Sequence, residues 1–308
     1  MNEEVMVSIR CLCYNHARYL REALDGMLKQ KTSFKYEIII HDDASTDGSQ
    51  EIIKEYENKY PEIIKPIYQQ ENQYSQGVSI YRTYMASIMR GKYIAICECD
   101  DCWTDPLKLQ KQIDFLETHP DYSCCCHGFR CIREDNSIIR IVKRKELESH
   151  DISIEDVIMN KGIPQLATLV YRTDLIENRP DFFTQCSVGD YPLFLYLSTE
   201  GKIFYINEIM SNYRIHDDGS WVSKAQKKPE VFKRHVDLLK TMLDQFDSYT
   251  SFKYTETVAL RKSNCEFQFL KISNNINGLL KNNYFKSLNP IKKVKTFLSF
   301  LLHMQNRR

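Results

Sequence analysis

The sequence predicts an α/β fold in which a mostly parallel central sheet is covered by helices on both faces and is followed by a helical C-terminal extension. Over the first 120 residues, short apolar runs of strand length alternate with segments of helical period. The runs are nearly continuous, which is typical of parallel strands buried on both faces. From about Pro229 onwards the chain has the pattern of helices. We therefore expect one domain over 1–225, with halves at about 1–120 and 121–225, and an extension over 226–308.

The first predicted strand is Val7–Cys13, and the helix after it spans 17–30. Leu20, Leu24 and Met27 recur at the spacing of one helical face. A helix is also expected to begin at Asp105-Pro106, because Asp caps helices and Pro suits the first helical position. The other expected elements are strands at 36–40, 64–68, 93–97, 121–132, 138–142, 167–172 and 205–213, and helices at 47–59, 79–90, 153–160 and 190–199.

Charge and hydropathy exclude several classes of protein. The 308 residues hold 42 Lys and Arg against 41 Asp and Glu, and this balance argues against a nucleic-acid-binding protein. No run of about 18 apolar residues is present, so we expect no spanning helix. The first residues, MNEEVMVSIR, enter a strand-like run directly, so we expect no signal peptide and a cytoplasmic location.

The eleven cysteines are expected to be reduced and packed as small apolar side chains, because their number is odd and no export signal precedes them. The alternative is a zinc site formed by Cys97, Cys99 and Cys102 with His127 or Cys131. Its C-x-C-x-x-C spacing is not the paired form of structural zinc sites, which disfavours it.

Polar clusters follow three of the predicted strands. They are Tyr14-Asn15-His16, His41 to Gly48, and Glu98-Cys99-Asp100-Asp101. Because ligands bind beyond the carboxyl ends of parallel strands, we expect these clusters to face one crevice. Three carboxylates within four residues repel one another unless they are solvated or bridged by a cation, and Mg²⁺ or Mn²⁺ would suit them. The alternative is an acidic turn that caps the next helix, a role that Asp105 already fills.

Asp43 is not needed for capping, since Thr46 or Asp47 can cap the helix that follows. Its carboxylate could instead accept hydrogen bonds from a ribose hydroxyl or a base N–H.

Three segments together carry a resemblance to a known family. The segments VSIRCLCYN, YEIIIHDDASTDGS and GKYIAICECDDCWTDPLKLQKQIDFL resemble, in order and spacing, the nucleotide-sugar-binding half of family 2 glycosyltransferases of the GT-A fold. The resemblance extends over roughly residues 5–220, on the expected size of such a domain. It implies an inverting enzyme that binds a nucleotide-diphosphate sugar, expected to be a UDP-sugar carrying a hexose or N-acetylhexosamine, together with Mn²⁺ or Mg²⁺.

The resemblance also implies roles for individual residues. Glu98 and Asp100 match the two acids of the family's Asp-x-Asp motif, where the first contacts ribose and the second binds metal. Glu98 departs from the pattern by one methylene. The expected nucleotide-sugar site comprises Tyr14, Asn15, Asp43, Ser45, Arg82, Glu98 and Cys99, and the expected metal site comprises Asp100, Asp101 and His216.

The same resemblance implies that Asp190 is the general base. Ser187-Val188-Gly189-Asp190 resembles the acidic segment that precedes a helix in the family, with Gly189 where Glu is common. The alternative is that Asp190 only caps the helix, and both roles are compatible. Two rival functions stay open: a nucleotide- or glycan-binding module without turnover, and a nucleotidyltransferase. The latter would need a Gly-rich basic loop after the first strand, where Tyr14-Asn15-His16 stands instead.

The tail, residues 281–308, holds seven Lys and Arg and no Asp or Glu. Its apolar segment Phe297–Leu302 lies beside Lys292, Lys293 and Lys295, which is typical of an amphipathic surface helix. We expect peripheral attachment to an anionic membrane on the cytoplasmic side and a glycan or polyprenol-linked acceptor. The alternative is that the tail packs on the fold.

Overall fold

The computed structural model describes residues 4–144, 148–176, 179–183, 186–216 and 221–305, with backbone only at 176, 221–223 and 299–305. The chain forms two compact units. The sheet unit comprises Met1–Ser153, Gly162–Asn178 and Glu200–Asp217, and the helical unit comprises Ile154–Lys161, Arg179–Thr199 and Asp218–Arg308.

A ten-stranded sheet forms the sheet unit, which confirms the predicted α/β class. The strands are β1 (Val5–Cys13), β2 (Lys35–Asp42), β3 (Ile64–Tyr68), β4 (Tyr93–Ile96), β5 (Cys102–Trp103), β6 (Tyr122–Ile132), β7 (Ile138–Val142), β8 (His150–Ile152), β9 (Val170–Arg172) and β10 (Lys202–Arg214). The order is β3-β2-β1-β4-β9-β6-β10-β5, with β7 beside β6 and β8 beside β10. The strands β3, β2, β1 and β4 pair in parallel, as do β6 and β10, and antiparallel pairs join the rest.

Among the described residues, three α-helices belong to the sheet unit, namely α1 (Ala17–Leu28), α2 (Ser49–Lys59) and α3 (Lys108–Thr118). The others are α4 (Ile154–Ile158), α5 (Asp190–Glu200), α6 (Trp221–Gln226), α7 (Pro229–Tyr249), α8 (Thr255–Ile272), α9 (Ile276–Lys281), α10 (Asn283–Ser287) and α11 (Pro290–Gln305). Among the described residues, none of these helices combines the length and the apolar character needed to cross a bilayer.

The apolar face of α1 is buried as its spacing predicts. Leu20, Leu24 and Met27 have no exposed surface and join the core formed with β1, β2 and β4. Gly26 lets the helix approach β5 closely, since a Cβ at this position would lie 2.7 Å from the carbonyl oxygen of Trp103. The position of α1 therefore depends on both the apolar stripe and the missing side chain.

The helix predicted over 79–90 is much shorter in the structure. Within this range only Tyr81–Met85 is helical, as a single π-helical stretch, and Ile88 beyond it is 41% exposed. The chain must turn into β4 here, because the N–H groups of Arg90 and Gly91 donate to Ser8 Oγ in β1. Likewise α3 begins at Lys108, because Asp105 Oδ1 accepts the Leu107 N–H before the helix starts.

A fully buried lysine supports the end of the sheet where β5 lies. Lys108 Nζ lies 4.0 Å from the centroid of the Trp103 ring and donates to Gln112 Oε1 at 2.8 Å. The Gln112 amide in turn donates to the carbonyl oxygens of Cys125 and Thr168. Because burial disfavours an ammonium ion, the pKa of Lys108 falls from its usual 10.5 to about 7.

This burial predicts a pH dependence of stability. Between pH 7 and 10.5 the folded state binds fewer protons at Lys108 than the unfolded state, so this group adds stability as the pH rises. We expect the unfolding free energy of wild type relative to Lys108→Met to increase by up to about 1.4 kcal/mol per pH unit from pH 7 to 10. Urea titrations followed by tryptophan fluorescence at several pH values measure this difference. The exposed Lys29→Met variant is the control, and a pH-independent difference for Lys108→Met would contradict the prediction.

Candidate active site

The carboxyl ends of β1, β2 and β4 lie side by side, as the parallel pairing requires. Asn15, at a left-handed φ of 56°, follows β1, and its Oδ1 accepts the Thr46 N–H at 2.8 Å. The Asn15 N–H donates to Ser45 Oγ at 2.9 Å. Asp47 accepts the N–H groups of Ala17 and Ser49, at the starts of α1 and α2. These bonds join the loops after β1 and β2 into one wall, on which Tyr14 is 47% exposed.

Asp43 is buried, and its carboxylate holds the loop after β3. Its Oδ1 accepts the Gln73 N–H at 2.8 Å and its Oδ2 accepts the Tyr74 N–H at 3.0 Å. Each carboxylate oxygen has a second lone pair, so a ligand could still hydrogen-bond to Asp43. Arg82 lies farther along the same connection and is exposed.

Glu98 follows β4 and is held at both oxygens. Oε1 accepts from Arg10 Nη2 at 2.9 Å, and Oε2 accepts the Leu12 N–H at 3.0 Å. Burial raises the pKa of Glu98 above its usual value, and the charge of Arg10 opposes that shift. A ligand that contacts Glu98 must therefore share carboxylate oxygens that already accept hydrogen bonds from β1.

Asp100 stands between two histidines. Its Oδ2 lies 3.0 Å from His216 Nε2 and 4.0 Å from His16 Nε2. Although burial acts to raise the pKa of Asp100, the hydrogen bond from His216 and the proximity of His16 lower it on balance. The same hydrogen bond raises the pKa of His216, whose Nδ1 lies 3.6 Å from Glu134 Oε1. The pair Asp100–His216 is thus a preformed carboxylate–imidazole contact.

Asp101 points away from this pair and into the protein. It is 5% exposed, and its Oδ1 accepts the backbone N–H of Arg214 at 2.9 Å. Burial, with the nearby charge of Asp100 as the next largest cause, raises the pKa of Asp101 well above its usual value. The Cys99 thiol is also buried, 3.1 Å from Cys11 Sγ, so a ligand contact at Cys99 would use its backbone.

The donor groups at this edge suit a divalent cation only with help from a ligand. No cluster of three or more His, Cys, Asp or Glu side chains in the described part of the chain is arranged to hold a metal ion. Carboxylate and imidazole atoms are nevertheless present at Asp100, His216 and His16, and the buried His16 Nδ1 has no hydrogen-bond partner among the described groups. Mg²⁺ and Mn²⁺ sites of this kind are completed by substrate phosphates, so the residues fit such an ion. All eleven cysteines are free thiols.

Asp190 begins α5 in the helical unit. It is exposed, its Oδ1 accepts the Tyr191 N–H at 2.8 Å, and it lines a cavity of about 270 Å³ between α5, α7 and α8. The carboxylate therefore has the helix-start position that the sequence predicts, together with access to a cavity.

Sequence reasoning missed several residues that hold these groups in place, namely Arg10, Glu22 and Glu134, and it named His16 only as part of a polar cluster without a role of its own. Arg10 had a detectable signal, because a charged residue inside an apolar strand needs a buried partner. Glu134, on the turn between β6 and β7, gave none, because its partners Arg18 and His216 are far away in the sequence.

The sequence model of a protein family described as "Glycosyl transferase family 2" matches residues 8–164 of the chain. The chain is 38% identical to an uncharacterized protein of Mycobacterium tuberculosis, over 77% of this chain and 68% of that protein. It is 30% identical to an uncharacterized glycosyltransferase of Nostoc sp., over 73% of this chain and 69% of that protein.

Solved structures share the fold. Staphylococcus aureus TarS 1–349 in complex with UDP-GlcNAc matches with a TM-score of 0.56 and 17% identity, over 89% of this chain and 84% of that one. The mannosyltransferase PcManGT of Pyrobaculum calidifontis, in complex with GDP-Man and Mn²⁺, matches with a TM-score of 0.54 and 14% identity, over 98% of this chain and 86% of that one.

Proposed function

The chain belongs to glycosyltransferase family 2, and from this premise we propose that it transfers a hexose or N-acetylhexosamine from a UDP-sugar to a glycan, with inversion at the anomeric carbon. The observation that carries the proposal is the Asp100–His216 contact at the sheet edge where Asn15 and Asp43 also lie. TarS binds UDP-GlcNAc and PcManGT binds GDP-Man, which supports a nucleoside-diphosphate sugar as donor.

We assign the nucleoside to the wall formed by the loops after β1 and β2. Tyr14 offers an exposed ring for a base to stack on, and Asn15, Ser45 and Asp43 offer amide, hydroxyl and carboxylate groups for the base and ribose. Glu98, with the backbone of Cys99, would contact the ribose, and the exposed Arg82 would meet the nucleotide from the loop after β3.

Asp100 and His216 would hold a divalent cation, Mn²⁺ or Mg²⁺, with Asp101 fixing the loop behind them. A bound cation would supply positive charge to offset the charge that develops on the diphosphate leaving group. The structure of PcManGT is a complex with both GDP-Man and Mn²⁺, which supports this assignment.

Asp190 would act as the general base. Its carboxylate would take the proton of the acceptor hydroxyl, whose oxygen attacks the anomeric carbon on the face opposite the departing diphosphate. Attack from the opposite face inverts that centre. This turnover distinguishes the enzyme from a binding module on the same fold.

We place the enzyme on the cytoplasmic face of a membrane, with a polyprenol-linked glycan as acceptor. In α11 the side chains of Ile291, Val294 and Leu298 are 69%, 59% and 53% exposed and recur at the spacing of one helical face. Lys292 and Lys295 beside them are also exposed. Of the predicted apolar segment, Phe297 is partly buried, and the side chains from 299 onwards lie outside the described residues. An exposed apolar row flanked by lysines is the pattern of a helix that lies on anionic lipid.

The first prediction from the proposed function concerns the cation. UDP should bind more tightly with Mn²⁺ than with EDTA, and Asp100→Ala should remove that difference, because a cation held by so few protein ligands cannot lose its main carboxylate. Isothermal titration of the full chain measures both affinities. Asp114→Ala, an exposed carboxylate on α3, is the control that should keep the Mn²⁺ effect. Equal affinity with Mn²⁺ and with EDTA in wild type would refute the metal role.

The second prediction concerns the base. Asp190→Asn should keep UDP binding and thermal stability, since Asn retains the oxygen that accepts the Tyr191 N–H. Sugar transfer should nevertheless fall by about 10²–10⁴-fold, the usual loss for a general base. The same substitution at exposed Asp114 is the control and should leave the rate unchanged. Transfer at the wild-type rate by Asp190→Asn would mean that another group removes the proton.

The third prediction concerns the membrane. Full-length protein should co-sediment with phosphatidylglycerol vesicles at low salt and release at high salt, because salt screens the surface potential. The triple variant Lys292→Gln, Lys293→Gln, Lys295→Gln should lose most of this binding. A matched triple at the exposed Lys227, Lys228 and Lys253 should keep it. Binding that is absent, or that both triples retain equally, would show that α11 has another role.

A further inference from the structure

The cavity beside Asp190 is formed entirely within the helical unit. Its volume of about 270 Å³ lies just below the usual ~300–1,000 Å³ range of ligand pockets. Val188, Phe232 and Leu239 give it apolar walls, and Asp190, His235 and Arg261 give it polar groups. Apolar walls with a few polar groups are typical of a site that binds a small molecule.

Arg261, on α8, brings a positive charge to this cavity without a counter-charge. Its guanidinium carbon lies 5.2 Å from the centroid of the Tyr191 ring, and its Nε is buried with no hydrogen-bond partner in the described part of the chain. Among the described residues, no carboxylate lies within ion-pair distance of Arg261. A guanidinium stays protonated at all physiological pH values, so an anion that enters the cavity would meet an uncompensated positive charge.

The other titratable groups of the cavity do not supply that anion. His235 is 7% exposed, its Nδ1 lies 2.6 Å from Ser187 Oγ, and burial together with the charge of Arg261 lowers its pKa. Among the described residues that line the cavity, Asp190 is the only carboxylate, and it makes no ion pair with Arg261 there. The guanidinium is therefore positioned to meet a charged group on a ligand.

We propose that the acceptor carries an anionic group, a phosphate or a carboxylate, and that Arg261 binds this group in the cavity that Asp190 lines. A guanidinium forms paired, charge-assisted hydrogen bonds with either group, and a lysine cannot reproduce them. The anionic group takes no part in the reaction. The acceptor hydroxyl gives its proton to Asp190, its oxygen bonds to the anomeric carbon, and the bond to the diphosphate breaks with its electron pair on the leaving group. The assignment to the acceptor rests on the proposed role of Asp190.

Matched probes test this proposal on the full chain. Glucuronate is compared with glucose, and glycerol 1-phosphate with glycerol, by ligand-observed NMR titration. We expect at least one anionic probe to bind about tenfold or more tightly than its neutral partner, as a charged hydrogen bond provides. Whichever probe shows the preference identifies the acceptor group as carboxylate or phosphate. Arg261→Gln should abolish the preference and leave neutral-probe binding unchanged.

The neighbouring Lys262→Gln is the matched control, because Lys262 pairs with Asp244 and does not line this cavity. If thermal unfolding shows that Arg261→Gln does not fold, Arg261→Lys decides: a preference reduced at least about threefold supports the proposal, and an unchanged one overturns it. A wild-type protein without preference, or a folded Arg261→Gln variant that keeps it, also overturns the proposal.

The same titrations on Asp190→Asn separate this inference from the proposed function. The anion preference should persist in that variant, because Arg261 is unchanged. If Asp190→Asn transfers sugar normally while Arg261→Gln loses the preference, the base assignment fails and the anion site stands. If Asp190→Asn stops transfer while Arg261→Gln keeps the preference, the base assignment stands and the anion site fails.

Discussion

The buried guanidinium of Arg214 fixes the acidic loop after β4, and the geometry of the sheet edge depends on it. The side chain is almost fully buried and lies over the ring of Tyr19, 4.5 Å from its centroid. A buried guanidinium is costly unless its N–H groups find acceptors, so the elements that supply those acceptors cannot move independently. The acceptors are the carbonyl oxygens of Asp100 and Arg133, Asn136 Oδ1 and Glu22 Oε2. This residue thus joins the loop to α1 and to the turn between β6 and β7.

Within this loop the three carboxylates have different partners and therefore different roles. Glu98 forms an ion pair with Arg10, and Asp101 accepts the backbone N–H of Arg214, so both carboxylates stabilise the folded loop. Among the described residues, the contacts of Asp100 Oδ2 are with the imidazole groups of His216 and His16, so this oxygen can also bind a cation. The protein relieves only part of the repulsion that suggested a metal from sequence, because the charge of Asp100 still acts to raise the pKa values of Glu98 and Asp101. What remains for a cation is the carboxylate of Asp100, the imidazole of His216 and the phosphates of a ligand, and Mg²⁺ is usually held by one or two carboxylates together with substrate phosphates.

Local sequence patterns predicted those parts of the fold that depend mainly on residues close together in the sequence. The apolar runs of β1, β2 and β4, the buried stripe of α1 and the helix start at Asp190 all follow from neighbouring residues. The prediction of a helix over 79–90 was wrong, because the Gly91 N–H donates to Ser8 Oγ, more than eighty positions away, and this bond fixes the entry of the chain into β4. The partners of Arg214 could not be predicted either, because they lie up to 192 positions away in the sequence. The contact of Arg10 with Glu98 is different, because a charged residue inside an apolar strand is itself a local signal that a buried partner exists.

Asp43 shows why a motif residue can serve folding and ligand binding together. Its carboxylate already accepts two backbone N–H groups of the loop after β3, so it fixes that loop beside the wall formed by Asn15 and Ser45. Removing the carboxylate would release the loop and remove the proposed ligand contact together, so a loss of binding could not be assigned to either cause. Asp190 differs, because its bond to Tyr191 survives replacement by an amide. The chemistry of this chain is therefore best resolved at residues whose structural hydrogen bonds an isosteric substitution preserves.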